Sequence, residues 1–76
     1  MPTINLTFAQ TLKSLRTSHK LTQEELAHLS GIDYKYLQKL EGSKPSSPTL
    51  ETLEKLSKGL NVSLVEFVSS IVARHE

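Results

Sequence analysis

Residues 21–42 read LTQEELAHLSGIDYKYLQKLEG, and this stretch decides the fold. Thr22 stands three residues before Glu25, the spacing at which a hydroxyl and a carboxylate cap the start of a helix reciprocally. Gly31 follows the next apolar residues, and glycine readily adopts the left-handed backbone at a helix end. The aspartate two residues later is a natural cap for another helix. The stretch therefore predicts a short helix from Thr22, a tight turn at Gly31 and a second helix over Asp33–Glu41.

Three further helices are predicted outside this stretch. Apolar residues recur at helical spacing over about 6–19, which indicates an amphipathic first helix. Residues 42–48 are rich in Gly, Pro and Ser, so we interpret this segment as a loop. Thr49 can cap a fourth helix, and the capping-box spacing at Ser63 begins a fifth over about 63–74. The predicted inward stripe of the fourth helix consists of Leu50, Leu53, Leu56 and Leu60.

The composition fits one small all-α domain across residues 1–76. The apolar fraction is 37% and the charged fraction 22%, which is typical of a globular chain. A chain of this length buries little surface, so its stability depends on good helix packing or on a partner subunit. No alternating apolar pattern bounded by turn signals indicates a strand.

Several classes of function are disfavoured by the residues present. The chain has no cysteine, and its three histidines have no partner at metal-ligand spacing, so we expect no metal and no cofactor. No nucleophile motif or glycine-rich phosphate loop occurs, so we do not expect an enzyme. No apolar run approaches the ~18–20 residues of a membrane span, and no signal peptide is visible, so we expect a cytoplasmic location.

The third predicted helix presents one polar, basic and aromatic face. Leu37 and Leu40 are three residues apart and are expected to point inward. Tyr36 is expected to pack against the core with its hydroxyl outward. The side chains left on the opposite face are Tyr34, Lys35, Gln38 and Lys39.

Four sequence blocks, in order, resemble the lambda-repressor-like, or XRE, family of helix-turn-helix DNA-binding proteins. The resemblance covers about residues 8–68 and implies a five-helix lambda-repressor-like domain whose second and third helices form the helix-turn-helix. The matching blocks are residues 21–27, 31–33, 36–42 and 48–56, followed by 60–63.

The resemblance implies that the helix over Asp33–Glu41 enters the major groove of DNA while the preceding helix crosses the phosphate backbone. Gln23 would then hydrogen-bond a phosphate, and Ser43 and Lys44 would touch the backbone again and position the protein. The side chains that would reach base edges or phosphates are Asp33, Tyr34, Lys35, Gln38 and Lys39.

Arg16 and Glu41 occupy positions that pair in members of this family. The resemblance implies that they tie the first helix to the end of the third, a mainly structural role. A phosphate contact by Arg16 is compatible with that role.

The fifth helix is apolar over more than one stripe. If only one stripe faced the core, the other apolar side chains of this helix, including Phe67, would be exposed on a very small protein. The same helix of a second copy would cover such a strip, so we predict a homodimer that binds an approximately palindromic operator. The predicted interface residues are Leu64, Val65, Phe67, Val68, Ile71 and Val72.

The sequence thus indicates a cofactor-free transcriptional regulator, similar to the controller proteins of restriction-modification systems and to small phage repressors. The alternative is an antitoxin-like or adaptor module whose last helix holds a different protein. Glu24, Glu51 and Glu54 are candidates for a contact with RNA polymerase, or are simply solvated helix charges. Residues 1–44 carry six Lys and Arg against four Asp and Glu, a net +2, whereas residues 45–76 carry a net −1. The helix-turn-helix half is therefore the more basic one.

Overall fold

The structure, a computed structural model, describes residues 3–76 and contains five helices and no strand within that range. The predicted all-α, five-helix architecture is confirmed. In chain order, the helices are α1 (Ile4–Ser18), α2 (Gln23–Ser30), α3 (Tyr34–Leu40), α4 (Leu50–Gly59) and α5 (Leu64–His75).

Side-chain caps begin α2 and α5 as the sequence predicts. The Thr22 hydroxyl accepts from the Glu25 N–H at 3.1 Å, and the Glu25 carboxylate accepts from the Thr22 N–H at 2.9 Å. The backbone and side-chain hydrogen bonds from Thr22 hold the pKa of Glu25 below its ordinary value. This cap is therefore complete at neutral pH and weakens as the pH falls through the lowered pKa. Ser63 and Glu66 form the same reciprocal pair at α5.

The first helix begins two residues earlier than predicted. The Thr3 hydroxyl accepts from the Leu6 N–H at 3.2 Å, so the cap lies at Thr3 and α1 starts at Ile4. At the other end α1 stops at Ser18, within one residue of the predicted boundary.

One hydrophobic core joins all five helices. Leu37 and Leu40 are fully buried and point inward, as predicted, and Tyr36 is half-buried against the core. The buried core residues are Phe8, Leu12, Leu26, Ala27, Leu37, Leu40, Leu56, Leu60, Phe67 and Ile71.

Three predictions about apolar surface were wrong. Leu50 is 79% exposed, because it is the first residue of α4 and the inward stripe meets the core only from Leu53 onward. Phe67 and Ile71, predicted in a dimer interface, are 0% and 6% exposed. They lie one helical turn apart on the face of α5 that packs on α1, where the Phe67 ring centroid is 6.0 Å from that of Phe8.

The second and fourth helices approach each other closely at Gly59. A Cβ at Gly59 would overlap the Ser30 hydroxyl and would lie 3.1 Å from Leu26 Cδ1. The Ser30 hydroxyl is buried and has no hydrogen-bond partner within the described chain. The close contact between α2 and α4 therefore favours glycine at position 59. The left-handed backbone conformation beyond α4 is adopted by Asn61, with φ of 57°.

Within residues 3–76, no single helix is long and apolar enough to cross a membrane. Helices α4 and α5 are long and apolar enough only when they are taken together, and the chain bends by 104° between them.

Candidate nucleic-acid interface

A short turn fixes α3 against α2. Gly31 adopts φ of 69°, and the Ile32 N–H then donates to the Ala27 carbonyl at 3.0 Å. Ile32 itself packs against the core. The Asp33 carboxylate accepts from the Tyr36 N–H at 3.2 Å and caps α3. The two helices and their turn are therefore held by backbone geometry, a cap and the core.

The outward face of α3 carries the side chains that the sequence assigns to it. Tyr34 is 39% exposed, and Lys35, Gln38 and Lys39 are all exposed. Within the described residues neither lysine forms an ion pair. The structure thus brings these four side chains onto one accessible face, backed by the buried side of the same helix.

Polar residues continue beyond the end of α3. Ser43 and Lys44 are exposed and follow directly after Gly42, whose N–H donates to the Lys39 carbonyl at 3.2 Å. We define the α3–α4 loop as residues 42–49. Its first half extends the basic character of α3 with a third lysine.

A buried carboxylate joins three parts of this region. Glu41 accepts from Arg16 Nε at 2.7 Å and from Arg16 Nη2 at 3.0 Å, so the ion pair is bidentate. Arg16 Nη1 donates to the Leu21 carbonyl at 2.8 Å. The predicted pair is therefore present, with the side chains of Arg16 and Glu41 only 11% and 2% exposed.

Gln23 is a further member of this cluster that sequence reasoning did not connect to it. Its Nε2 donates to Glu41 Oε1 at 3.1 Å. Gln23 is the first residue of α2 and is half-buried, so its amide is oriented before any ligand arrives. The second Nε2 hydrogen remains free to donate to a phosphate oxygen. We call Arg16, Glu41 and Gln23 the carboxylate clamp.

An apolar groove of about 230 Å³ lies between α1, α4 and α5. Val68 and Val72 line it and are 38% and 42% exposed, whereas Val65, on the same helix, is 74% exposed and lies outside its lining. Asn5, Ser47 and Pro48 also line it. The remaining lining side chains are Ile4, Phe8, Leu53 and Ile71.

The groove therefore includes parts of α1, α4 and the α3–α4 loop that were not predicted. The α5 residues that remain exposed beside it are the valines at 68 and 72, not the phenylalanine at 67.

Comparison with known proteins places this arrangement in a family. A family model described as helix-turn-helix matches residues 12–67, most of the chain. The control protein C.SmaI of Serratia marcescens is 36% identical over 61 residues, which cover 80% of this chain and 71% of that protein. The HTH-type transcriptional regulator RghRB of Bacillus subtilis is 40% identical over 55 residues, but the chain spans only 40% of its length.

A solved structure is similar over the whole chain. It is that of C.Esp1396I bound to a 19 base pair DNA duplex, with a TM-score of 0.88, 28% identity and coverage of 99% of both chains. A protein with the same fold over its full length therefore exists in complex with duplex DNA. On the family match and these relatives together, the chain belongs to the XRE-type helix-turn-helix family of DNA-binding transcriptional regulators.

Proposed function

We propose that this protein is a cytoplasmic transcriptional regulator that binds a specific double-stranded DNA operator as a homodimer, without a cofactor or catalytic activity. The observation that carries the proposal is the accessible face of α3, held rigidly by the turn at Gly31 and the carboxylate clamp. Similarity to C.SmaI, a control protein, and to C.Esp1396I supports a role as the controller of a restriction-modification system.

The chemistry of α3 suits the major groove. A lysine can donate to guanine O6 and N7, a glutamine can pair with adenine N6 and N7, and an aromatic ring can contact the thymine methyl. Lys35, Gln38 and Tyr34 supply these three groups on one face. Gln23 and Lys44 stand at the start of α2 and after α3, where contacts to phosphates would fix the register of the helix on the duplex.

Replacing Lys35 by alanine tests this assignment. We expect specific binding to weaken by about 1–3 kcal/mol and base preference to relax, because a major-groove donor is lost. The operator is first obtained by selection from random duplex DNA, which also reports its symmetry and half-site spacing, and affinities are then measured at fixed salt. Lys58→Ala is the matched control, since this lysine is exposed in the last turn of α4. Equal affinities of the two variants for the operator would show that Lys35 does not contribute to recognition of the bases.

The apolar groove supports homodimerisation. Val68 and Val72 are partly exposed beside it, and a second copy could cover both through a two-fold contact. The net charge of the whole chain is only +1, so one subunit has little electrostatic attraction for DNA. A dimer doubles the contacts and would place two recognition helices ~34 Å apart, one turn of DNA.

Replacing Val72 by glutamate is expected to split the dimer and to reduce operator affinity by about tenfold or more, since an unpaired charge would enter the apolar contact. Folding should be retained, because Val72 lies outside the buried core. Sedimentation at micromolar concentration measures the change, with Ser69→Glu, at an exposed position of the same helix, as the control. If both variants remain dimeric, the interface lies elsewhere.

The groove also favours one competing function, an adaptor or antitoxin-like module that holds a different protein. In that case the wild-type chain alone would sediment as a monomer at micromolar concentration. A stable homodimer that selects a palindromic site from random DNA would contradict it.

A further inference from the structure

The two halves of the α3–α4 loop belong to different surfaces. Ser43 and Lys44, at the α3 end, are exposed beside the recognition helix. Ser47 and Pro48, at the α4 end, line the apolar groove. A single side-chain hydrogen bond links this second half to α1: Asn5 Nδ2 donates to Ser47 Oγ at 2.8 Å.

The loop contains two prolines that make it stiff. A proline fixes its own φ, and it restricts the preceding residue to extended backbone. Pro45 therefore limits the backbone of Lys44, and Pro48 limits that of Ser47. Between Lys44 and Ser47 only Ser46 is not restricted by a proline, so fixing Ser47 leaves Lys44 with few backbone conformations.

We propose that Asn5 is a positioning residue for DNA binding. Through Ser47 it holds the α3–α4 loop so that Lys44 meets a phosphate with little ordering left to occur on binding. Asn5 itself does not touch DNA. This inference rests on the proposed function, and it adds a residue of α1, far from the helix-turn-helix in sequence, to the determinants of operator affinity.

The location of the hydrogen bond strengthens its effect in the dimer. In the monomer the bond is exposed, so water competes with it. Asn5 and Ser47 both line the groove, and a second copy seated there would exclude water from them. Lys44 is therefore positioned best in the dimeric state.

A double-mutant cycle between Ser47 and Lys44 tests the inference on the chain of residues 1–76. Asn5→Ala and Ser47→Ala are each expected to weaken operator binding by about threefold to tenfold, the range for loss of one hydrogen bond. Ser46→Ala, the matched control, should leave the affinity unchanged, because Ser46 is exposed and forms no side-chain hydrogen bond within the described residues. Lys44→Ala should cost less affinity in the Ser47→Ala background than in the wild type.

Each outcome bears on the inference directly. Additive effects of Ser47→Ala and Lys44→Ala would overturn it, as would equal affinities of Ser47→Ala and Ser46→Ala. The dimer dissociation constant is measured by sedimentation without DNA. If it rises in proportion to the loss of operator affinity, the inference is also overturned, because the hydrogen bond would then act only on the dimer interface. Failure of the wild-type dimer to select any duplex would instead contradict the proposed function, and the inference with it.

Discussion

Replacing Glu41 by alanine is expected to lower the free energy of unfolding by about 3–5 kcal/mol, because the partner of a nearly buried arginine is removed. Arg16 is only 11% exposed, and Glu41 accepts two of its hydrogen bonds. The same change leaves the Gln23 amide without its acceptor. Since a small domain has only about 5–15 kcal/mol of stability, this loss is large. Urea denaturation followed by circular dichroism measures it.

Two further variants test whether the effect of Glu41→Ala comes from leaving a buried charge unpaired. Glu51→Ala removes an exposed ion pair to Lys55, 3.8 Å apart on α4, and is expected to change stability by less than about 1 kcal/mol. The double variant Arg16→Met/Glu41→Met should recover most of the stability, because no unpaired charge remains. A Glu41→Ala protein as stable as Glu51→Ala would show that the carboxylate clamp does not stabilise the fold.

The same double variant tests whether the clamp also serves DNA binding. With Glu41 absent, Gln23 is free to adopt other rotamers, so its contact with a phosphate would carry an additional ordering cost. We expect the folded double variant to bind the selected operator more weakly than the wild type does, at equal salt. Unchanged affinity would mean that orientation of Gln23 by Glu41 has no effect on binding.

The parts of the fold that local chemistry determines were predictable from the sequence. Thr22 with Glu25 and Ser63 with Glu66 are separated by three residues, so their capping boxes could be identified before any packing was known. Gly31 ends α2 with the left-handed backbone that its position required. The residues on the exposed face of α3 could also be predicted, because helical periodicity depends only on sequence spacing.

Features that depend on how helices pack could not be predicted in this way. Six apolar residues of α5 cover an arc wider than a single packing stripe, so periodicity cannot tell which of them face α1. The structure selects Phe67 and leaves Val65 exposed. Likewise, no local signal connects Gln23 with Glu41 or Asn5 with Ser47, which lie 18 and 42 residues apart. These contacts exist only because the complete fold brings their helices and loops together.

Phe67 shows how much this distinction changes the expected effect of a substitution. A phenylalanine at a dimer surface would affect association, but the Phe67 side chain is fully buried within one chain and lies against Phe8. We therefore expect Phe67→Ala to lower the free energy of unfolding by about 3–5 kcal/mol, through lost burial and the cavity that remains. Thermal or urea unfolding measures the loss.

Protein concentration separates a core role from an interface role. Dimer stability depends on concentration, whereas the contribution of a core residue does not. The difference in unfolding free energy between Phe67→Ala and wild type should therefore persist at concentrations low enough for both to be monomeric. Val65 lies on the same helix and is 74% exposed, so the unfolding free energy of Val65→Ala should lie within about 0.5 kcal/mol of the wild-type value.

If the cost of Phe67→Ala disappeared on dilution, Phe67 would belong to the interface and the packing of α5 on α1 would have to be revised. A persistent cost would leave Val68 and Val72 as the α5 side chains of the groove that are available to a second copy.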